Sequence, residues 1–262
     1  MSQDLSIYFR QILTLEQEVD DLLRATLPGV IDVPEMLVDM PIWLDQYETL
    51  TVDAIAPVLS RAALIGEKFV GRIGGGATVA SSETPLAEGM RFLQLEVSNA
   101  VRVFETSIGI TLDRLELGGV SDDVIVEVVT AMNGTTPTNQ RPPFATLTNG
   151  VVRAARGAIK HVADAAILAT VDNPQGDLWT WVTIEDKRVC DDCLPRHGTE
   201  HTLAEWTALG KPQTGWSICQ ERCRCMLLPR EWVNKNVDLR APIKMTALDL
   251  ENFGTRVEDL VP

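Results

Sequence analysis

The five cysteines of this 262-residue chain all lie in one stretch near the C-terminal end. Cys190 and Cys193 form a C-x2-C pair, and Cys219, Cys223 and Cys225 form a later C-x3-C-x-C group. A tetrahedral Zn²⁺ ion is usually held by thiolates that converge from two such segments. The cysteines therefore predict a structural zinc site.

The sequence offers this site more ligands than the four that zinc needs. The C-x2-C pair supplies the two firmest ligands. Cys219 and Cys223 stand at i and i+4 and would share a face if that segment were helical, so one of the three later cysteines would be spare. His197 or His201 could replace a thiolate. At the level of sequence the choice among these seven residues stays open.

Two other kinds of chemistry fit the cysteines less well. A redox C-x2-C pair needs a stabilised thiolate, and the intervening Asp191 and Asp192 oppose one unless a cation is bound. A zinc deaminase needs an H-x-E motif paired with P-C-x-x-C, an order that the chain lacks. His197 and His201 are close in sequence, but the remaining residues of a zinc-knuckle nuclease are not evident. A closed structural site is therefore favoured.

Basic residues surround the cysteines. Four thiolates on Zn²⁺ leave a net negative charge, which neighbouring guanidinium groups could offset. The candidates are Arg188, Arg196, Arg222 and Arg224. A region of this size with few large apolar residues is expected to take much of its folding free energy from the metal.

Composition restricts the class of protein. The formal net charge of −14 disfavours direct DNA binding, because neutralising phosphates needs clustered Lys and Arg. Hydrophobic residues make up 45% of the chain, enough for a real core. No apolar run is judged long enough to span a membrane and the N-terminus lacks the order of a secretory signal, so we expect synthesis in the cytoplasm and no membrane partner.

The N-terminal part reads as helices. Apolar residues repeat at three or four positions over residues 5–22, which predicts a helix packed on the core, with a short coiled coil as the open alternative. The same spacing predicts a long helix over residues 86–115, started by Thr84-Pro85 and stopped by Gly118-Gly119. Residues 51–69 read as helical despite Pro57, between an irregular connector before them and a loop over residues 71–85.

Two further helices are expected before residue 172. Ser121 caps one over residues 124–132, although its β-branched residues leave a strand open. An alanine-rich helix over residues 148–171 would let a partner helix approach closely. Its basic residues, Arg153, Arg156 and Lys160, are expected to form a solvated face.

The C-terminal part reads as a separate module. Alternating residues over 178–184 predict a strand with Trp179 and Trp181 on one face. Thr202 to Glu205 form a capping box that starts a short helix ended by Gly210.

The predicted fold class is mainly α, with a helical N-terminal body and a small C-terminal zinc-stapled α+β module. The body covers residues 1–171, the module residues 172–232, and a docking tail residues 233–262, with a short helix near residues 245–253.

The order of motifs in the module is familiar. W-x-T-x-x-D-x-R-x-C-x-x-C ends at Cys193 and is followed by R-H-G, an E-W helix, G-x-P, and C-x3-C-R-C-x-L-x-P ending at Pro229. This order resembles the C-terminal module of phage head morphogenesis proteins of the Mu F type, also called minor head or minor capsid proteins. The resemblance covers about residues 119–229. Members commonly carry a His-Pro pair before C-R-C, whose histidine Cys219 would replace here.

The resemblance implies a structural component of the virion that is assembled in the host cytoplasm and contacts the portal protein, the major capsid protein or both. Its role would be head assembly, with DNA packaging or ejection as a further possibility, and self-association stays open. It implies no catalytic residues, so we expect no enzyme. The alternative from the residues is a zinc-dependent nucleic-acid-binding or nuclease module.

Overall fold

The computed structural model describes most of the chain and places it in two compact units. It describes residues 3–73, 83–134, 140–171, 176–185, 190–212, 214, 216–218, 223, 225–236 and 243–244. Unit 1 comprises Met1–Glu16, Val58–Gly89 and Gly157–Pro262, and unit 2 comprises Gln17–Pro57 and Met90–Arg156. Across the described residues the chain is mainly helical, with a small three-stranded sheet near its C-terminal end.

The described residues form eight α-helices, of which the sequence predicts five in the body and one in the module. They are α1 (Gln3–Val30), α2 (Val33–Val38), α3 (Met40–Ile73), α4 (Glu83–Leu117), α5 (Asp122–Asn133), α6 (Phe144–Leu168), α7 (Leu203–Leu209) and α8 (Arg230–Asn236). Residues 124–132, for which the sequence was compatible with a strand or a helix, belong to the helix α5. Because α4 begins at Glu83, Thr84 lies in its first turn and does not cap it.

The segment before residue 47 is helical and not the irregular connector expected from its prolines. Asp32 caps α2, because its carboxylate accepts a hydrogen bond from the backbone N–H of Glu35 at 3.1 Å. Pro34 and Pro41 both fall in the first turn of a helix, where a missing N–H leaves no helical hydrogen bond unmade. The prolines therefore mark helix starts.

Two other prolines do not end helices. α1 continues to Val30, past Pro28, and α3 runs through Pro57 to Ile73. The predicted apolar stripe of α1 is correct at Tyr8 to Val19 but not at Leu22, which is 39% exposed while Leu23 is fully buried. An α-helix drifts relative to a strict 3.5-residue repeat, so the buried stripe moves by one position along a long helix.

Unit 1 packs helices around small residues. An ideal Cβ on Gly66 of α3 would lie 2.8 Å from the Cβ of Ala166 and 2.9 Å from the carbonyl oxygen of Ala163, both on α6. A Cβ on Gly89 of α4 would overlap Val162 of α6. The close approach expected of the alanine-rich helix is thus confirmed, and glycines on its partners make it possible.

The basic residues of α6 do not form the expected solvated face. Lys160 is 2% exposed, and its Nζ donates to both carboxylate oxygens of Asp164 at 2.7 and 2.6 Å. Within unit 2, Arg156 forms an ion pair with Asp20. Only Arg153 is exposed. A buried cation needs such a partner, because an unpaired charge away from water is strongly destabilising.

Unit 2 has an aromatic core. Trp43 stacks on Tyr47 with ring centroids 5.1 Å apart, and Phe104 packs on Phe144 at 5.2 Å. The buried side chains of α4 follow the predicted spacing and are Leu93, Val97, Val101, Phe104 and Ile108. The predicted long helix is therefore confirmed, with its middle positions buried, and α4 ends at Leu117, directly before Gly118-Gly119.

One helix in the described residues is long and apolar enough to cross a membrane by length and composition alone. It is the stretch Met40–Arg72 of α3, with a mean hydropathy of 1.3 in its most apolar window. The sequence-based judgement that no run approaches this length was therefore too strong. Half of that window is buried against the rest of the protein, which is typical of a core helix as well.

The C-terminal module contains a three-stranded antiparallel sheet. Its strands are β1 (Leu178–Val182), β3 (Glu200–Thr202) and β4 (Met226–Pro229), in the order β3-β1-β4. β2 (Ile184–Glu185) pairs in parallel with β5 (Ile243–Lys244), so part of the predicted tail lies beside the module. The predicted tail helix falls outside the described residues. The predicted domain boundaries stay predictions, although α8 runs across residue 232.

Replacing Gly66 by alanine should destabilise the protein by about 1–3 kcal/mol, because the new Cβ meets backbone and Cβ atoms of α6 that cannot move independently. Gly71→Ala is the matched control in the same helix, since nothing lies within 4 Å of its Cβ position. It should stabilise by up to about 1 kcal/mol through helix propensity. Urea unfolding measures both variants, and similar changes in the two would contradict the close packing.

Candidate metal centre

The register of the sheet fixes the first contact of the site. β4 pairs antiparallel with β1, with Val182 opposite Met226. Continuing the ladder by one residue sets Thr183 opposite Cys225. The Sγ of Cys225 donates a weak hydrogen bond to Thr183 Oγ1 at 3.7 Å. The strand pairing therefore carries one cysteine of the later group to the end of β1.

The C-x2-C pair forms a tight turn on the other side of Thr183. The carbonyl oxygen of Cys190 accepts hydrogen bonds from the N–H groups of Cys193 at 3.1 Å and Leu194 at 3.2 Å. A short 3₁₀ helix, Leu194–Arg196, follows the turn. Thr183 Oγ1 donates to the carbonyl oxygen of Cys193 at 3.2 Å. One hydroxyl thus contacts both cysteine segments.

Three sulfurs meet between these segments. The Sγ atoms of Cys193, Cys223 and Cys225 all lie within 4.8 Å of one another, and all three residues are buried. The Sγ atoms of Cys193 and Cys223 lie 3.6 Å apart. We call these three residues the cysteine cluster. Its buried, converging sulfurs could hold a metal ion.

The cysteine cluster stabilises a thiolate. Hydrogen bonds from the thiols of Cys193 and Cys223 lower the pKa of Cys225 well below its usual value, against burial, which raises it. Because the thiolate is the form that binds metals, the cluster is chemically prepared for a cation.

The structure brings together three of the five predicted cysteine ligands. Cys190 is partly buried at the start of the turn and is not among the clustered sulfurs. Cys219 lies outside the described residues, so its predicted role stays a prediction. The same holds for three of the four arginines that were expected to offset the thiolate charge, namely Arg188, Arg222 and Arg224.

His197 acts as a hydrogen-bond acceptor. Its Nδ1 accepts the backbone N–H of Thr183 at 3.0 Å. A neutral imidazole has one acceptor nitrogen, so Nε2 then carries the hydrogen and has no lone pair for a metal. His201 lies on β3, opposite Trp179 of β1, and its ring packs edge-on against Trp206 at 4.7 Å. Neither histidine belongs to the cysteine cluster.

Tryptophans form the core of the module. Trp181 packs against Trp206 at 5.2 Å and against Trp216 at 5.8 Å between ring centroids. Trp206 also donates its indole N–H to the carbonyl oxygen of Trp179 at 2.8 Å. Trp179, Trp181 and Trp206 are the largest fully buried side chains in the described residues. The expectation that the module has few large apolar residues is therefore wrong, because three buried tryptophans form its core.

Arg196 belongs to this tryptophan core and was misinterpreted from the sequence. Its guanidinium group lies 3.5 Å from the ring centroid of Trp216. Its two terminal nitrogens donate to the carbonyl oxygens of Gly210 at 2.6 Å and Leu209 at 2.8 Å. These carbonyl groups lie at the end of α7, where carbonyl groups lack partners within the helix and positive charge is favourable. The Arg196 side chain therefore caps the C-terminal end of α7.

The two ends of α7 match the sequence prediction. Thr202 accepts the backbone N–H of Glu205 at 3.3 Å, and the Glu205 carboxylate accepts the N–H of Thr202 at 2.8 Å, so the capping box is confirmed. Gly210 follows the helix with φ +92°, and a Cβ there would lie 2.3 Å from the Trp216 ring. Only glycine fits this position.

Asp192 ties the two cysteine segments together, a role that sequence reasoning missed. Its Oδ2 accepts the backbone N–H of Ile218 at 2.8 Å, across 26 residues. The sequence was interpreted only for the effect of this negative charge on a thiolate. Aspartate side chains often bind backbone N–H groups in loops, but the sequence carries no signal for a partner so distant.

Arg196→Lys should destabilise the module by about 2 kcal/mol, because a lysine cannot donate to both carbonyl groups and stack on a tryptophan. Arg153→Lys on the exposed side of α6 is the control and should change stability by less than about 0.5 kcal/mol. Urea unfolding followed by tryptophan fluorescence compares the two. Equal losses would contradict the proposed closure of α7.

Comparison with protein-family models, with curated proteins and with solved structures finds no match for the chain. The interpretation of the site therefore rests on its own geometry.

Proposed function

We propose that the cysteine cluster binds Zn²⁺, with Cys190 as the fourth ligand. A tetrahedral site with Zn–S bonds of about 2.3 Å separates its sulfurs by roughly 3.8 Å. The 3.6 Å between Cys193 and Cys223 agrees with that spacing. Cys190 is the natural fourth ligand, because the turn that contains Cys193 also holds Cys190.

This zinc would be structural. A catalytic zinc keeps one coordination position for water or substrate, whereas four thiolates close the sphere. The three clustered cysteines are buried, and His197 is committed to the backbone of Thr183. Thr183 would then fix the ligands from outside the sphere, since it contacts Cys225 and the carbonyl group of Cys193.

For the whole protein we propose a non-catalytic role as a minor head protein of a tailed phage or prophage. It would act in capsid and portal assembly within the virion. One observation supports this proposal: the described residues of the motif that resembles the Mu F family lie in a single module. Trp181, Arg196 and Gly210 support its core, and Cys193 and Cys225 belong to its cysteine cluster. Each of them holds the module together, as a docking unit requires.

The rival proposal is a zinc-dependent nucleic-acid-binding or nuclease module. Arg196, one of the arginines that could have contacted phosphates, is used at the end of α7. The net charge of −14 also opposes phosphate contacts. Filter binding of DNA from low to high salt separates the two proposals, and binding that weakens steeply with salt would favour the rival.

The phage proposal is tested in the genome that encodes the chain. Deleting the gene should yield particles with defective heads, and supplying the protein in trans should restore them. Mass spectrometry of purified particles should find the chain in few copies per head. Normal infectious particles without the protein would overturn the proposal.

The zinc proposal predicts about one Zn²⁺ per chain in purified protein and a lower melting temperature after chelation. Cys190→Ser should lose most of the zinc, because it removes the fourth ligand, whereas Cys219→Ser should retain it. Elemental analysis with a thiol titration measures both. The reverse result would replace Cys190 by Cys219 in the ligand set, and a metal-free, fully folded wild-type protein would overturn the site.

Thr183→Val should weaken zinc binding about 10–100-fold, because valine keeps the shape of threonine but loses the hydroxyl that contacts both cysteine segments. Thr183→Ser retains the hydroxyl and should bind nearly as tightly as the wild type. Competition against a chromogenic chelator measures both affinities. Equal affinity in the valine and serine variants would show that the hydroxyl has no part in holding the ligands.

A further inference from the structure

α4 exposes a second apolar stripe on the side opposite its buried face. The side chains are Leu95, Val103, Ile110 and Leu117, which are 56%, 55%, 48% and 89% exposed. Their positions differ by seven or eight residues, so at 3.6 residues per turn they lie on one side of the helix. We call them the outer stripe.

The outer stripe is not needed for the fold of unit 2. The buried face of α4, which includes Val97 and Phe104, already packs in the core of that unit. A helix on a protein surface normally carries one apolar stripe and a polar opposite face. An apolar stripe that stays exposed on a protein surface is typical of a site that contacts another molecule. From Leu95 to Leu117 it is roughly 33 Å long, at about 1.5 Å per residue.

We propose that the outer stripe is the contact between two copies of this chain, with their α4 helices antiparallel about a two-fold axis. In this arrangement Leu95 of each copy packs near Leu117 of the other, and Val103 packs near Ile110. The axis passes close to Thr106. A two-fold contact uses the same surface on both copies, so every pair occurs twice.

The charges beside the outer stripe favour a second copy of the chain as its partner. Antiparallel pairing brings Arg102 of one copy near Asp113 of the other on one flank. Since the surface complements itself in charge, a second copy satisfies it without another protein.

The proposal does not depend on the proposed function. The outer stripe lies in unit 2, while the cysteine cluster lies in unit 1. Zinc content and self-association can therefore be measured on the same full-length protein, and either can fail without affecting the other.

Sedimentation velocity over a wide concentration range tests the contact. The wild-type chain should form dimers, and a Val103→Glu/Ile110→Glu double variant should stay monomeric, because it places charges in the apolar seam. Leu50→Glu on α3 is the control, since Leu50 is 57% exposed but lies on another helix. A wild-type protein that remains monomeric, or a control that dissociates like the double variant, overturns the proposal.

A charge exchange tests the direction. Arg102→Glu should weaken the dimer about tenfold, because two opposite-charge pairs become repulsive. Adding Asp113→Arg to the same chain should restore the wild-type dissociation constant. Circular dichroism confirms that each variant keeps its helices. Failure of the second change to restore association overturns the antiparallel arrangement.

Discussion

The antiparallel pairing of β4 with β1 is the interaction on which the C-terminal module depends. It joins segments far apart in sequence and sets Val182 against Met226. Side chains alternate between the faces of a strand, so a slip of one residue would turn Cys225 away from Thr183. Such a slip is opposed because Trp179 and Trp181 are fully buried. The packing of the tryptophans therefore fixes the position of a cysteine.

Two polar contacts extend this arrangement away from the sheet. Arg196 joins the end of α7 to the tryptophans, and Asp192 joins the C-x2-C turn to the backbone of Ile218. The hydrogen bonds of Arg196 and Asp192 both run from a side chain to the backbone of another segment. The cysteine cluster lies where the sheet and the turn meet, so its geometry follows from contacts that contain no sulfur.

The sequence predicted what depends on local spacing. The buried face of α4 and both ends of α7 follow from side-chain periodicity and capping, which act within a few residues. The prolines led to wrong predictions of irregular structure, because a proline can start a helix, as Pro34 does in α2, or lie inside one, as Pro57 does in α3. Lys160 and Arg196 could not be predicted, since their partners are chosen by tertiary packing. Three of the five cysteines predicted as ligands meet in the cysteine cluster.

The hydrogen bond from Ile218 to Asp192 affects the exchange of the proposed metal ion, because it joins the two cysteine segments. Closing a long loop has an entropic cost, and here the Asp192 carboxylate joins the two ends through a contact that involves no thiol. Metal binding as proposed would then need no search for distant chain segments, because this hydrogen bond already joins them. A competing cation could exchange with the bound ion while the two cysteine segments stay joined.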